Sequence, residues 1–163
     1  MQKKELTLSL EAYTDAAELG KEDAALLELA RKATADAYVP YSHFRVGAAV
    51  RLANGKTLTG TNQENAAYPA GLCAERVALS TASALYPGIA VTDLAVSYLN
   101  EQGDSRTPVS PCGICRQTLV EYENRSEKPI RILLAGQTGE VLAIGKASDL
   151  LPLAFTVHQL KND

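Results

Sequence analysis

At 163 residues, 46% of them apolar and with a net charge of −3, the chain has the length and composition of one domain able to bury its own core. No apolar run approaches the roughly 20 residues of a membrane span, Met1-Gln2-Lys3-Lys4 followed by Glu5 does not resemble a signal peptide, and the negative balance argues against a nucleic-acid partner, whose phosphates ask for a basic face. The three cysteines cannot all pair and two of them form a Cys-x-x-Cys, so a reducing, cytoplasmic setting is expected. No internal repeat and no boundary stands out, which gives a single domain over 1–163, with 1–22 as an N-terminal extension of unknown role.

In chain order, Leu6, Leu8 and Leu10 alternate with polar residues and suit an edge strand or an ordered arm. Over 23–38 the apolar residues Leu26, Leu27, Leu29, Ala30, Ala33 and Ala37 recur at helical spacing, with Glu28, Arg31 and Lys32 on the wet side. Val39-Pro40 ends that helix, because proline disfavours helical geometry in the residue before it. A strand follows over 46–52, then Asn54-Gly55, a strong hairpin signal, and a returning strand over 57–61. Residues 62–72, with Tyr68-Pro69 and Gly71, read as a loop. A helix is predicted over 74–85, with Val77, Ala78, Thr81, Ala82 and Leu85 on one face. An alternating strand over 94–99, a polar loop over 101–108, a helix over 112–122 entered through Pro111, and strands over 130–135 and 141–144 complete the order. Helices alternating with strands in this way imply a three-layer α/β fold.

Chemistry concentrates at two stretches, Cys73-Ala74-Glu75-Arg76 and Pro111-Cys112-Gly113-Ile114-Cys115-Arg116-Gln117, which hold every cysteine of the chain. One helical turn puts Cys112 and Cys115 on the same side, close enough to share an ion. Adding Cys73 leaves one tetrahedral position open, the pattern of a catalytic zinc rather than a structural one closed by four ligands. Glu75 lies beside such an ion without needing to bind it, where a carboxylate can relay a proton. Both stretches open helices, whose N-terminal amides favour thiolates. Three thiolates around a divalent ion leave a negative cluster, and Arg76 and Arg116 are the cations at hand to offset it. Arg76 is expected to hydrogen-bond cysteine sulfurs. The plainer readings are a structural zinc or small buried side chains for the cysteines, a solvated helix-start acid for Glu75 and a core ring for Phe44.

A first ligand, one residue, Glu and then Pro-Cys-x-x-Cys is the signature of zinc deaminases, here in its three-cysteine form. With Tyr41-Ser42-His43-Phe44-Arg45-Val46-Gly47-Ala48-Ala49 and Asn62-Gln63-Glu64-Asn65 in the same order, the chain resembles the small homotetrameric cytidine deaminases from about Tyr38 to Phe155. The resemblance implies an α/β/α fold around a five-strand mixed sheet with helices on both faces. It implies zinc on Cys73, Cys112 and Cys115, Glu75 as acid and base, and hydrolytic deamination of cytidine. It also implies ribose contacts from Asn62 and Glu64, base packing by Phe44, and base-edge contacts from the Ala74 backbone and the Ser110 carbonyl. Phe155 matches an aromatic that reaches a neighbouring subunit's site in a homotetramer, although Ala154 and Thr156-Val157 around it depart from the usual pattern. Neither sugar residue requires a 2′-hydroxyl, so deoxycytidine is an expected second substrate. His43 is read as structural, since the cysteines already satisfy the metal pattern.

Rival functions are another aminohydrolase on the same scaffold, such as a blasticidin S deaminase, a nucleic-acid-editing deaminase, and a non-enzymatic zinc module. Asn62-Gln63-Glu64 favours a nucleoside over the first. The second would want basic or aromatic surface for flanking nucleotides, which the sequence does not display.

Overall fold

The computed structural model describes residues 1–160. In chain order the elements are β1 (Glu11–Tyr13), α1 (Lys21–Ala33), β2 (Phe44–Leu52), β3 (Thr57–Thr61), α2 (Ala74–Leu85), β4 (Val91–Asn100), α3 (Gly113–Ser126), β5 (Arg131–Ala135) and β6 (Val141–Ile144). The strands form one mixed sheet in the order β1-β6-β5-β4-β2-β3, with β4 and β5 parallel and every other pair antiparallel. The resemblance implies five strands and the sheet has six. The additional one is β1, whose pairing with β6 sets Glu11 opposite Ala143 and Tyr13 opposite Val141. The leucine alternation just before it is not itself a strand: residues 1–10 carry no regular structure, and Leu6, Leu8 and Leu10 are exposed.

The central strands are buried on both faces, so each sorts its side chains between two cores rather than between core and water. Ala48, Val50 and Leu52 of β2, Leu94 and Val96 of β4, Ile132 and Leu134 of β5 and Ile144 of β6 pack with Ala78, Leu79 and Leu119 of α2 and α3. On the other face Ala49, Ala95, Leu133, Ala135, Val141 and Ala143 meet Leu26, Leu27 and Ala30 of α1. Small residues on that face let α1 lie close to the sheet. Each fully buried leucine contributes about 1.5–3 kcal/mol.

Helix α1 is shorter than predicted. It passes into a 3-10 turn at Thr34–Asp36, well before Pro40. The hairpin forms where Asn54-Gly55 predicts it: Gly55 takes φ 80°, its N–H donates to Leu52 O at 2.8 Å, and Lys56 N donates to Asn54 Oδ1 at 3.1 Å. The buried stripe of α2 is Ala74, Glu75, Ala78, Leu79 and Ala82, rotated from the predicted face, with Leu85 left 60% exposed. Pro111 precedes the Cys112 N-cap of α3 instead of occupying its first turn, and α3 runs on to Ser126.

A buried carboxylate fixes the far end of α3. Glu123 accepts hydrogen bonds from Ile130 N at 2.8 Å, Ala147 N at 2.8 Å and Ser148 N at 3.0 Å, tying the helix to the entry of β5 and to the 3-10 turn after β6. Across neighbouring strands β2, β4 and β5, Arg51 pairs with Glu22, Asp23 and Asp93, while Arg131 pairs with Asp23 and Glu11.

Candidate active site

Helices α2 and α3 begin side by side on one face of the sheet. Their N-caps are Cys73 and Cys112, both with extended backbone, and Cys115 lies in the first turn of α3. Cys73 Sγ is 3.7 Å from Cys112 Sγ, and Cys112 Sγ is 3.6 Å from Cys115 Sγ. A disulfide would need about 2.05 Å. Sulfurs around a tetrahedral zinc at about 2.3 Å lie about 3.8 Å apart, so the observed spacing fits thiolate ligation. All three sulfurs lie within 4.8 Å of one another, the one metal-capable cluster among the described residues. Cys115 is buried, Cys73 half-buried and Cys112 exposed. The neighbouring Cys115 thiol lowers the Cys73 thiol to about 6, and the same closeness, together with burial, raises Cys115.

These helix ends open onto a cavity of about 470 Å³, the size of a small-molecule site. Phe44, Asn62, Glu64, Cys73, Ala74, Glu75, Arg76, Ser110 and Cys112 all line it. Residues from β2, the 62–72 loop, the start of α2 and the approach to α3 therefore converge on one cavity. Glu75 is 5% exposed, and burial raises its carboxyl above the ordinary range, against the opposing pull of hydrogen bonds and of Arg76. A carboxyl shifted upward is better matched to moving protons near neutral pH.

The position of α2 depends on Gly60 in β3. A Cβ there would lie 2.5 Å from Ala74 O, 3.0 Å from Ala78 Cα and closer still to Ala78 N. Those atoms belong to the backbone of the opening turns of α2, so the strand touches the turn that carries Cys73 and Glu75.

The remaining positions are more particular than the sequence suggests. The Asn62 amide is already anchored: Nδ2 donates to Phe44 O at 2.9 Å, and Oδ1 accepts from Val46 N at 2.8 Å. One Nδ2 hydrogen and one Oδ1 lone pair are left for a ligand. Glu64 Oε2 accepts from Tyr41 N at 2.9 Å and Ser42 N at 3.2 Å, which leaves Oε1 without a partner among the described residues. Burial would raise this carboxyl, but hydrogen bonds from Ser42 and Tyr41 hold it below its ordinary value. The Phe44 ring stacks on Tyr98, with centroids 4.8 Å apart and planes 14° from parallel.

No hydrogen bond joins Arg76 to a sulfur among the described residues; its charge acts through space and lowers Cys73. Arg116 turns to the backbone, donating to Pro111 O at 2.8 Å and Leu150 O at 2.9 Å. Gln117 Nε2 donates to Phe155 O at 2.8 Å. Helix α3 thus holds the C-terminal segment through two side chains to which the sequence assigns no such task. Phe155 does not line the cavity, and its side chain is 58% exposed. His43 stands behind Phe44 and pairs with Glu101, outside the metal cluster.

Comparison with known proteins agrees with this geometry. A family model described as the cytidine and deoxycytidylate deaminase zinc-binding region matches residues 20–127. The cytidine deaminase of Halalkalibacterium halodurans is 37% identical over 137 residues, covering 84% of this chain and 96% of that protein. The Sporosarcina psychrophila cytidine deaminase is 39% identical over 137 residues, covering 83% and 92%. Among solved structures, the cytidine deaminase from Burkholderia pseudomallei superposes with a TM-score of 0.71 at 38% identity, covering 84% of this chain and all of that one. The fold, the cysteine cluster and these matches agree: the chain belongs to the cytidine and deoxycytidylate deaminase family.

Proposed function

We propose that this protein carries out zinc-dependent hydrolytic deamination of cytidine and of deoxycytidine, giving the uracil nucleoside and ammonia, in cytoplasmic pyrimidine salvage. One observation carries the reading: sulfurs at zinc-thiolate spacing open onto a nucleoside-sized cavity beside the buried carboxyl of Glu75. Cys73, Cys112 and Cys115 would hold the ion, which when bound supplies the Lewis acidity that makes hydroxide accessible near neutral pH.

Glu75 manages the protons. It takes one from the attacking water and delivers it to ring N3, which makes C4 more electrophilic. After addition at C4, it takes the proton of the new C4 hydroxyl and delivers it to the amine, which leaves as ammonia as the C4–N bond breaks and the carbonyl forms, so one carboxyl serves as base and then as acid. Its burial supports both roles, because a raised affinity for the proton keeps the carboxyl from being too weak a base. Arg76 draws electron density from the thiolate cluster through its charge.

Substrate contacts follow from the free valences in the wall. The unpaired Glu64 Oε1 and the spare Asn62 hydrogen suit a 3′-hydroxyl. Nothing in that pair asks for a 2′-hydroxyl, which supports deoxycytidine as a substrate. Phe44 packs on the pyrimidine face, while the Ala74 backbone and the Ser110 carbonyl address its edge. Exposed Tyr41, Tyr68, Leu72 and Ile114 near the cavity, with Phe155 held outward by α3, support a homotetramer whose subunits complete one another's sites. A single six-strand sheet shared by all the helices supports one domain over 1–163, to which residues 1–22 contribute the edge strand β1.

The deciding experiment is ammonia release from cytidine and deoxycytidine by purified protein of measured metal content, before and after chelation. Turnover lost with zinc and restored by adding it back is the expected result. Full turnover by metal-free protein would overturn the reading.

A further inference from the structure

Phe44 reaches the cavity from the first residue of β2, yet its neighbours His43 and Arg45 do not line the cavity. Both are held by the carboxylate of Glu101, which follows β4. Oε2 lies 3.1 Å from His43 Nδ1, and Oε1 accepts from Arg45 Nε. Glu101 N also donates to His43 O at 3.0 Å, and His43 N donates to Val39 O at 3.2 Å. Arg45 Nη1 continues inward to Ala37 O at 2.8 Å. Between these contacts the His43 backbone sits at φ 56°, a left-handed conformation uncommon outside glycine. Such a conformation persists only where its surroundings over-determine it.

We propose that Glu101 is a positioning residue for substrate binding. Its carboxylate clamps both neighbours of Phe44, holds His43 in its left-handed turn, and so fixes the angle at which the Phe44 ring meets the pyrimidine. The proposal rests on the reading that Phe44 packs on the base. The Glu101 side chain is 34% exposed, and ion pairs this open to water add little to folding stability. Its loss therefore acts on substrate grip rather than on the fold.

The test compares Glu101→Ala, Glu101→Gln and Phe44→Ala with the parent in steady-state cytidine deamination, with melting temperatures alongside. Glu101→Ala raises KM about three- to tenfold with kcat within about twofold of the parent, because the ring is misaimed while the chemistry is intact. Glu101→Gln recovers most of that KM. Its amide oxygen still accepts from Arg45, and its NH₂ can donate to Nδ1 of a neutral imidazole. If Phe44→Ala raises KM while Glu101→Ala leaves it at the parental value, the clamp is wrong and the Phe44 reading stands. If Phe44→Ala also leaves KM unchanged, base packing by Phe44 fails and the clamp fails with it. A Glu101→Ala effect confined to kcat, or accompanied by a large fall in melting temperature, also overturns the proposal.

Discussion

Replacing Gly60 with alanine tests how the two halves of the site are held together. The added Cβ would sit 2.5 Å from Ala74 O and 3.0 Å from Ala78 Cα, whereas carbon contacts are comfortable at about 3.5–4.0 Å. The obstructing atoms are backbone, so no side chain can rotate away; α2 must move by about 1 Å or β3 must bend. Overpacking of this kind costs about 1–3 kcal/mol, a fall of about 2–12 °C in Tm for a chain of this size. The same movement carries Cys73 away from Cys112, now 3.7 Å apart, and shifts Glu75 against the substrate. A misplacement of about 1 Å at a reacting centre costs about 100-fold in rate. Ammonia release, zinc content and Tm are the readouts, with Gly20→Ala as the control because nothing lies within 4 Å of a Cβ there. A Gly60→Ala protein with parental Tm and kcat/KM within about twofold of the parent would refute the reasoning.

Glu75→Gln should fold and keep its metal but lose about 100- to 10,000-fold in turnover; parental ammonia release would exclude Glu75 as the proton carrier. Glu123→Ala leaves the amides of Ile130, Ala147 and Ser148 unpaired, and at about 1–2 kcal/mol for each should destabilise by about 3–6 kcal/mol. A loss below about 1 kcal/mol in denaturant unfolding would contradict that role. Asp93 supplies a pH signature. Burial would raise its carboxyl, but hydrogen bonds from Arg51 and Thr92 hold it below the ordinary value. Because the folded state binds this proton less tightly than the unfolded chain, the stabilisation is present above about pH 4 and disappears as pH falls through the lowered folded value. Asp93→Asn should therefore flatten the acid side of the Tm-versus-pH curve, with the parent's advantage present above about pH 4 and vanishing at the acid end; a parent curve with the same acid slope as the variant and no advantage above about pH 4 would show that the pair contributes nothing.

Some of this was readable in the residues because spacing and chemistry coincide there. Cys112 and Cys115 are one helical turn apart, and the helices over 74–85 and 113–126 begin at the cysteines themselves. Periodicity failed on the burial of α2, where Val77 and Leu85 were expected inside while Leu79 and the charged Glu75 are the buried ones. The start of that helix, with Glu75, faces the cavity as well as the sheet, so apolarity alone does not mark its inner side. The contacts of Glu123 with Ala147, of Arg116 with Leu150 and of Arg131 with Asp23 were invisible because the partners are 24, 34 and 108 positions apart. Glu101 disappears into the polar loop over 101–108 for the same reason: its partner His43 is 58 residues away and becomes a neighbour only once β2 pairs with β4.

The anchoring of α3 constrains when the proposed zinc could be captured during synthesis. Its start is tied to Leu150 through Arg116, and its end to Ala147 and Ser148 through Glu123. A nascent polypeptide that has emerged only as far as Cys115 possesses every sulfur but lacks the struts that hold two of them in place. Loading should wait until residues 147–150 have left the ribosome, and products shortened ahead of position 147 should bind zinc weakly despite an intact set of cysteines.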